Sequence, residues 1–413
     1  MRKKNVPAVI LGLGVNGLGI VRSLALMDIP IYGFYNNKKE IGRFSKYVSA
    51  IKAYDVKTAP KQLLKQLTDF GEKINKKSFL IPESDVYLSF ISENREVLSK
   101  YFLFNIADKD LITMIIDKSG NMELALRHNV LIPRTMYLDG SDDIDVILAE
   151  FKFPVIIKPL NTFSTTFPGN KKNIIIEDRD SLVRLFKNNN SLFGNCIIQE
   201  IIIGHDGNIV ICSVYFSRDS EPLGVYTGRK IRQYLPDYGV TSYGVSEYIP
   251  EVEQISIRFL KSIGYKGLAT LEFARDIKSG EYYFLELNGR SYYHNMLFTD
   301  CNMNLSYIAY CDTVGIDLHE KFKRQREGLI WIDFSRDIAS FWRKRKEHKI
   351  KFMEWLYSVT RARSFAVFNK SDILPFLYST WLLLTPVFGT VGRKFMKILR
   401  LRRCHKMTGN GRL

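Results

Sequence analysis

The chain has 413 residues, enough for two or three domains, and a hydrophobic content of 46% that suits real cores. Lys and Arg number 60 against 43 Asp and Glu, a formal net charge of +17, so the partner it suits is anionic: a nucleic acid, a nucleotide or an acidic lipid. Its 5 cysteines form no CxxC pair and its 6 histidines are scattered, which excludes a disulfide framework and a zinc cluster and implies reduced thiols in a cytosolic setting.

The opening stretch, MRKKNVPAVILGLGV, is basic and then apolar like a secretory leader. It lacks a small-x-small cleavage site and runs on into a glycine turn and a helix pattern, so we read it as structure. AVILGLG is a buried parallel strand and GLGIVRSLALMD a helix, with Gly12, Gly14, Gly17 and Gly19 at the junction. Glycine there permits positive φ and close backbone approach. A dinucleotide site also needs a carboxylate at the end of the second strand for the ribose hydroxyls. Here that strand, IPIYGFY, ends in Tyr35, Asn36 and Asn37, with no carboxylate before Glu40. The expectation is an open α/β domain that binds no nicotinamide. Strand and helix patterns then alternate to about Ile112, with FLIPESD as strand and loop and VYLSFISENREVLSKYF as helix.

Next, a helix carrying Asp117 and Lys118 is expected to run to RHNVLIP, where Pro133 stops it. FPVIIKPL is a short β-branched strand ending in Lys158 and Pro159. NCIIQEIIIG and NIVICSVYF are strands flanking a turn from Gly204 to Gly207, and LATLEFARDIKSGEYYFLELNGR is a hairpin turning at Lys278, Ser279 and Gly280. This middle part reads as an antiparallel-rich α+β domain to about Gly315. From KFKRQREG onward the chain is basic, aromatic and mostly helical; Ile373 to Val391 carries no charge, and the last 22 residues hold eight Lys or Arg and no acid. The expected units are 1–112, 113–320 and 321–413.

The hairpin carries the chemistry. Glu272 and Glu286 lie on adjacent strands, and Asn288 shares the face of Glu286 because strand side chains alternate. Two carboxylates and an amide oxygen suit Mg²⁺ (or Mn²⁺), which takes oxygen ligands and substrate phosphates. The alternative is a pair of exposed carboxylates balanced by Lys or Arg. Arg290 lies two residues further on. Lys158 ends an apolar strand, where a buried ammonium needs an anion such as a nucleotide phosphate, unless it snorkels to solvent. Glu200 precedes an apolar segment whose backbone groups can read an adenine edge.

In this order, DK, VIIKP, QEIIIG, GRKIRQYLPDYG, GYKGLATLEF and FLELNGR resemble the ATP-grasp superfamily, and within it the carboxylate–amine ligases related to D-aspartate ligase and the large subunit of carbamoyl-phosphate synthase. The resemblance covers about Ala8 to Gly315. It implies a Rossmann-like first domain that contacts substrate, then an ATP-grasp fold, with a basic helical C-terminal extension. By the same resemblance Lys118 and Lys158 contact ATP phosphates, and Glu200 and Ile203 line the adenine hinge, with Asp206 at the ribose. Arg229, Lys230 and Arg232 line the acyl-phosphate side; Glu272, Glu286 and Asn288 hold the metal, and Arg290 binds the transferred phosphoryl group. The implied reaction phosphorylates a carboxylate with ATP and lets an amine displace phosphate, chemistry that needs positioned cations more than a nucleophilic side chain. Two departures stand out. The phosphate-covering loop NTFSTTFPGNKKN has one glycine, Gly169, with Ser164, Thr165 and Thr166 as substitute donors, and Gly289 replaces a proline common in relatives.

The uncharged stretch near Ile373 approaches the length of a membrane span, but Pro375 and Pro386 disfavour one. We expect contact with an anionic membrane surface, with packing on the ligase domain as the alternative. The resulting expectation is a cytoplasmic ligase, peripheral at the inner membrane face, with small-molecule carboxylate and amine substrates and a homodimeric state as in relatives. Its rivals are an ATP-binding regulator without turnover, a basic nucleic-acid-binding protein and a nicotinamide oxidoreductase.

Overall fold

The computed structural model describes residues 6–138, 143–159, 167, 173–189, 196–202, 206–234, 239–318, 324–346 and 350–384. The chain opens with β1 (Ala8–Leu11), α1 (Val15–Ala25), β2 (Ile31–Tyr35), β3 (Ser49–Lys52), α2 (Pro60–Ile74), β4 (Ser78–Pro82), α3 (Asp85–Glu93), α4 (Arg95–Leu98) and β5 (Phe102–Leu103). These strands form one parallel sheet in the order β3-β2-β1-β4-β5. Parallel strands need crossovers, and helices then cover both faces. The alternation of β1 shows it: Val9 and Leu11 face one core with Leu63 and Leu67, while Ala8 and Ile10 face another with Leu18 and Val21. Strand order reverses beside β1, so the carboxyl ends of β1 and β4 frame the crevice where such sheets bind ligands.

Two helices follow, α5 (Lys109–Ile116) and α6 (Lys118–Arg127). This corrects the single helix expected through Asp117 to Pro133. Asp117 instead caps α6, its carboxylate accepting the Gly120 amide at 2.9 Å, and Asn129 takes a positive φ of 57° beyond the helix end. The predicted helix after β4 is likewise split at Asn94.

A small four-stranded sheet comes next, from β6 (Thr135–Leu138), α7 (Ile144–Glu150), β7 (Val155–Pro159), β8 (Ile174–Ile176), α8 (Arg179–Asn189) and β9 (Cys196–Glu200), in the order β6-β9-β7-β8. It has its own core around Ile147, Val155, Ile157, Leu182 and Ile198. The main sheet has seven strands: β10 (Ile209–Phe216), β11 (Pro222–Tyr234), β12 (Val240–Ser246), β13 (Gly267–Arg275), β14 (Tyr282–Asn288), β15 (Ile330–Ile332) and β16 (Ser364–Phe365), in the order β14-β13-β10-β11-β12-β15-β16. The two strands read on either side of Gly204–Gly207, β9 and β10, thus belong to different sheets. Helices α9 (Pro250–Ser262), α10 (Asn295–Asp300) and α11 (Leu305–Val314) cover the main sheet. Both cores of the first sheet continue into it, through Val210, Cys212 and Val214 on one side and Ile211 and Tyr215 on the other.

The basic C-terminal stretch is not wholly helical: β15 and β16 sit within it, beside α12 (Phe334–Lys346), α13 (Phe352–Thr360) and α14 (Leu374–Leu384). Helix α14 packs on the 3-10 turn Ile41–Phe44, with the Tyr378 ring 4.2 Å from that of Phe44. Among the described residues no helix is long and apolar enough to cross a membrane.

Candidate active site

Glu272 on β13 and Glu286 on β14 are register partners, so their carboxylates rise from one face of neighbouring strands. Glu272 is 7% exposed, a position that is costly for a charge without a partner. Its partner is Lys230, which reaches across β10 from β11 and places Nζ 2.5 Å from Oε2 of Glu272. The Tyr292 hydroxyl donates to the other oxygen. Burial still pushes the Glu272 carboxyl up, opposed by Lys230. Burial acts on Glu286 as well, but the Asn288 amide, 2.9 Å away, together with Lys230, Lys118 and Lys158, holds it below the usual range.

The cluster extends through Asn288. Its Oδ1 accepts from Arg290 at 3.1 Å, and Arg290 forks onto Asp85 with Nε 2.8 Å from Oδ1 and Nη2 3.0 Å from Oδ2. Asp85 opens α3 in the first sheet, so this ion pair joins the two larger sheets at the site. Two facing carboxylates with an amide beside them suit a hard divalent cation, and Lys230 is the cation they hold here. Among the described residues no three His, Cys, Asp or Glu side chains converge as a metal site, and here the two carboxylates have an amide rather than a third acid beside them.

Two more lysines stand near enough to act on Glu286 electrostatically. Lys158 ends β7, with Nζ 2.8 Å from Oε1 of Gln199; Gln199 in turn donates to Thr135 at 2.8 Å. Burial and the nearby Lys118 lower Lys158 to about 8, against the pull of Glu286 and Glu272. Lys118 is the first residue of α6, and Asn121 on that helix fixes its place. The Asn121 amide donates to the carbonyls of Ile115 and Leu287, each at 2.8 Å, and its oxygen accepts the Leu287 amide at 3.0 Å. The start of α6 is thereby bolted to β14, one residue from Glu286.

The structure therefore gathers Lys118, Lys158, Lys230, Glu272, Glu286, Asn288 and Arg290. Glu200 ends β9, partly buried, opposite Val155 of β7. Asp206 opens a short 3-10 turn, whereas Ile203 lies outside the described residues, as does the loop after Lys158 apart from Phe167. Arg229 and Arg232 have other partners. Arg229 forks onto Glu247 at 2.7 and 2.5 Å, and Arg232 onto the buried Asp337 at 2.9 and 2.8 Å.

The glycine turn has an internal anion. Glu83, at the end of β4, accepts the Gly14 and Gly17 amides at 2.9 and 2.8 Å. A Cβ on Gly12, whose φ is +92°, would lie 2.3 Å from the Glu83 side chain. Burial and Glu40 push the Glu83 carboxyl up to about 7. Glu40 folds back to accept the amides of Asn36 at 2.9 Å and Leu13 at 2.5 Å. A carboxylate from the neighbouring strand thus sits at the helix N-terminus that a pyrophosphate would need. Glu83, Asp85, Gln199 and Tyr292 were not singled out in the sequence. For the first two, the available signal was their place at the carboxyl end of a parallel strand, in FLIPESD.

No family model matches the chain. It is 24% identical over 415 residues to a D-aspartate ligase of Enterococcus faecium, covering 95% of this chain and 97% of that protein. It is 27% identical over 180 residues to the arginine-specific carbamoyl phosphate synthase large chain of Halalkalibacterium halodurans, covering 41% of this chain and 16% of that one. Among solved structures, the N5-carboxyaminoimidazole synthetase of Staphylococcus aureus complexed with ADP superposes with a TM-score of 0.63 at 15% identity, covering 84% of this chain and 87% of that one. The Rossmann-like first sheet, the small and large sheets with the carboxylate pair between them, and these likenesses give one result: the chain has the ATP-grasp fold and is related to the carboxylate–amine ligases of that superfamily.

Proposed function

We propose that the chain is an ATP-dependent ligase that joins a small-molecule carboxylate to an amine. The observation that carries this reading is the Glu272–Glu286 pair, Glu272 buried and Glu286 partly so, with Lys230 bound to Glu272 and Lys158 and Lys118 near enough to act on Glu286 electrostatically. In the reaction, a substrate carboxylate oxygen attacks the γ-phosphorus of ATP, giving an acyl phosphate and ADP. The amine then attacks the acyl carbon, phosphate leaves with the bonding pair, and the amine loses a proton to give the amide.

Lys118 and Lys158 hold the ATP phosphates, and the end of β9 at Glu200, with Ile203 and Asp206, takes the adenosine. Glu272, Glu286 and Asn288 hold Mg²⁺, which when bound neutralises phosphate charge and polarises the transferred group. Lys230 is the cation that moves between Glu272 and the transferred phosphoryl oxygens. Arg290, oriented by Asp85, faces the same group. Arg229 and Arg232 act behind this layer through Glu247 and Asp337. Cations preset around the equatorial oxygens are what this transfer requires. The boundary at 112 belongs to the same proposal, with the phosphates between the small and large sheets; the boundary expected at 320 gives way, because β15 and β16 beyond it complete the main sheet. So does a homodimeric cytoplasmic protein acting on a cell-envelope precursor, with only the exposed side of α14 (Leu374, Leu377, Leu383 and Leu384) left for the inner membrane face, because its other side packs on the first sheet's turn.

Glu286→Gln tests the site. It removes one negative charge and no volume, so ADP formation should fall by at least about a hundredfold with the fold intact. Normal turnover by this variant would remove the metal assignment.

A further inference from the structure

We propose that the corner formed by α12 and α13 docks onto an anionic lipid bilayer. Helix α13 buries Trp355, which stacks on Phe341 of α12 at 4.6 Å and donates from Nε1 to Asp337 at 2.8 Å. The other side of α13 turns Met353, Leu356 and Tyr357 to solvent, Met353 and Tyr357 as an i,i+4 pair, while the partly exposed Phe352 packs its ring 5.9 Å from Phe341 and 6.0 Å from Trp355. Met353 is 69% exposed and Tyr357 66%; on α12, Trp342, whose ring lies 5.3 Å from that of Phe341, is 56% exposed. Large apolar side chains gathered in this way mark an interaction surface.

The charge around them states the partner. From Arg343 to Arg363 the sequence holds eight Lys or Arg and two acids. Arg343, Arg345, Lys351, Arg361 and Arg363 are exposed, and Arg361 and Arg345 lie over the Tyr357 and Trp342 rings at 5.9 and 6.0 Å. Glu354 turns back to accept the Lys351 amide at 3.3 Å. A convex helix with aliphatic and aromatic side chains inside a basic rim matches acyl chains below acidic headgroups. The corner is rigid, because Asp337 binds Arg232 of β11, Ser242 of β12 and Trp355 together. This inference is independent of the ligase reading and concerns a surface distinct from the Ile373–Val391 stretch.

The test is co-sedimentation of the full chain with phosphatidylcholine vesicles, with and without about one quarter phosphatidylglycerol. The wild type should partition onto the anionic vesicles only, and Met353→Ser/Leu356→Ser/Tyr357→Ser should weaken this at least about tenfold without changing ADP release. Arg343→Glu/Arg345→Glu, which leaves the apolar residues in place, should lower it similarly. The proposal is overturned if the wild type ignores anionic vesicles or if both variants sediment like it. It is equally overturned if the apolar variant merely converts a dimer to monomer, or if the wild type prefers duplex DNA or RNA to vesicles. Loss of ADP formation in the wild type would strike the ligase reading and leave this one standing.

Discussion

Lys158 stands where burial and Lys118 both disfavour its charge, and at about 8 it sits closer to neutrality than an ordinary lysine. In the proposed site the protonated form is the one that holds phosphate. As pH rises through about 8 the free protein loses that proton, so ATP must supply the energy to restore it. ATP affinity should therefore fall toward tenfold per unit above this value, and the fall should be absent in Lys158→Arg, whose guanidinium stays charged. ATP titrations between about pH 7 and pH 9 check it; a flat profile for the wild type contradicts it. Much of the residue-scale site was legible. Glu272, Glu286 and Asn288 announce themselves by strand alternation across a short hairpin, and Lys158 by ending an apolar run. Glu83 and Asp85 did not, because their partners, the glycine turn and Arg290, lie far away in sequence. The charge of Arg232 was equally visible, but Asp337, 105 residues on, is what claims it.

At the scale of elements, the junction of α5 and α6 governs where Lys118 sits. One Asn121 side chain makes three hydrogen bonds there, two of them to the backbone of Leu287 on β14. Asn121→Ala would leave the buried amide and carbonyl of Leu287 without these partners. The expected cost is about 2–4 kcal/mol of stability, read from denaturant unfolding, together with a raised KM for ATP as α6 loosens. An unchanged KM would separate α6 from phosphate binding. This junction shows where sequence periodicity ends. The apolar pattern continues through Asp117 and predicts one helix, yet a capping carboxylate that satisfies the Gly120 amide starts a new helix. The hairpin β13–β14, by contrast, is legible from its short turn and alternating side chains, although the register shift between Phe273 and Glu272 that brings Glu272 opposite Glu286 has no sequence signal.

Across the whole molecule, the C-terminal part is fixed to the first sheet by one buried ion pair. Arg22 of α1 donates to Asp372 at 3.1 Å and to the Val367 carbonyl at 2.8 Å, and Asp372 also accepts from Ser45 at 2.8 Å and the Lys46 amide at 2.9 Å. Both side chains are at most 3% exposed, and burial lowers the Arg22 guanidinium against the pull of Asp372. Asp372→Ala should cost about 3–5 kcal/mol, because it strands a buried cation; a thermal or denaturant midpoint measures it. Composition revealed the shift near residue 320, since charge and aromatic content change there. It did not reveal that β15 and β16 complete the main sheet, because strands of three and two residues have no readable period. Nor could it show α14 packed on the 3-10 turn after β2, a contact between opposite ends of the chain.

In the proposed reaction the three lysines and two glutamates serve phosphoryl transfer to a carboxylate. The direct measurement is ADP release from Mg·ATP by the purified chain, offered pooled amino acids, hydroxy acids and uronic acids with hydroxylamine as the trapping amine. ADP and a hydroxamate should form in equal amounts, and both should be lost in Glu286→Gln. Release of ADP without any hydroxamate, or its persistence in that variant, would contradict the proposed reaction.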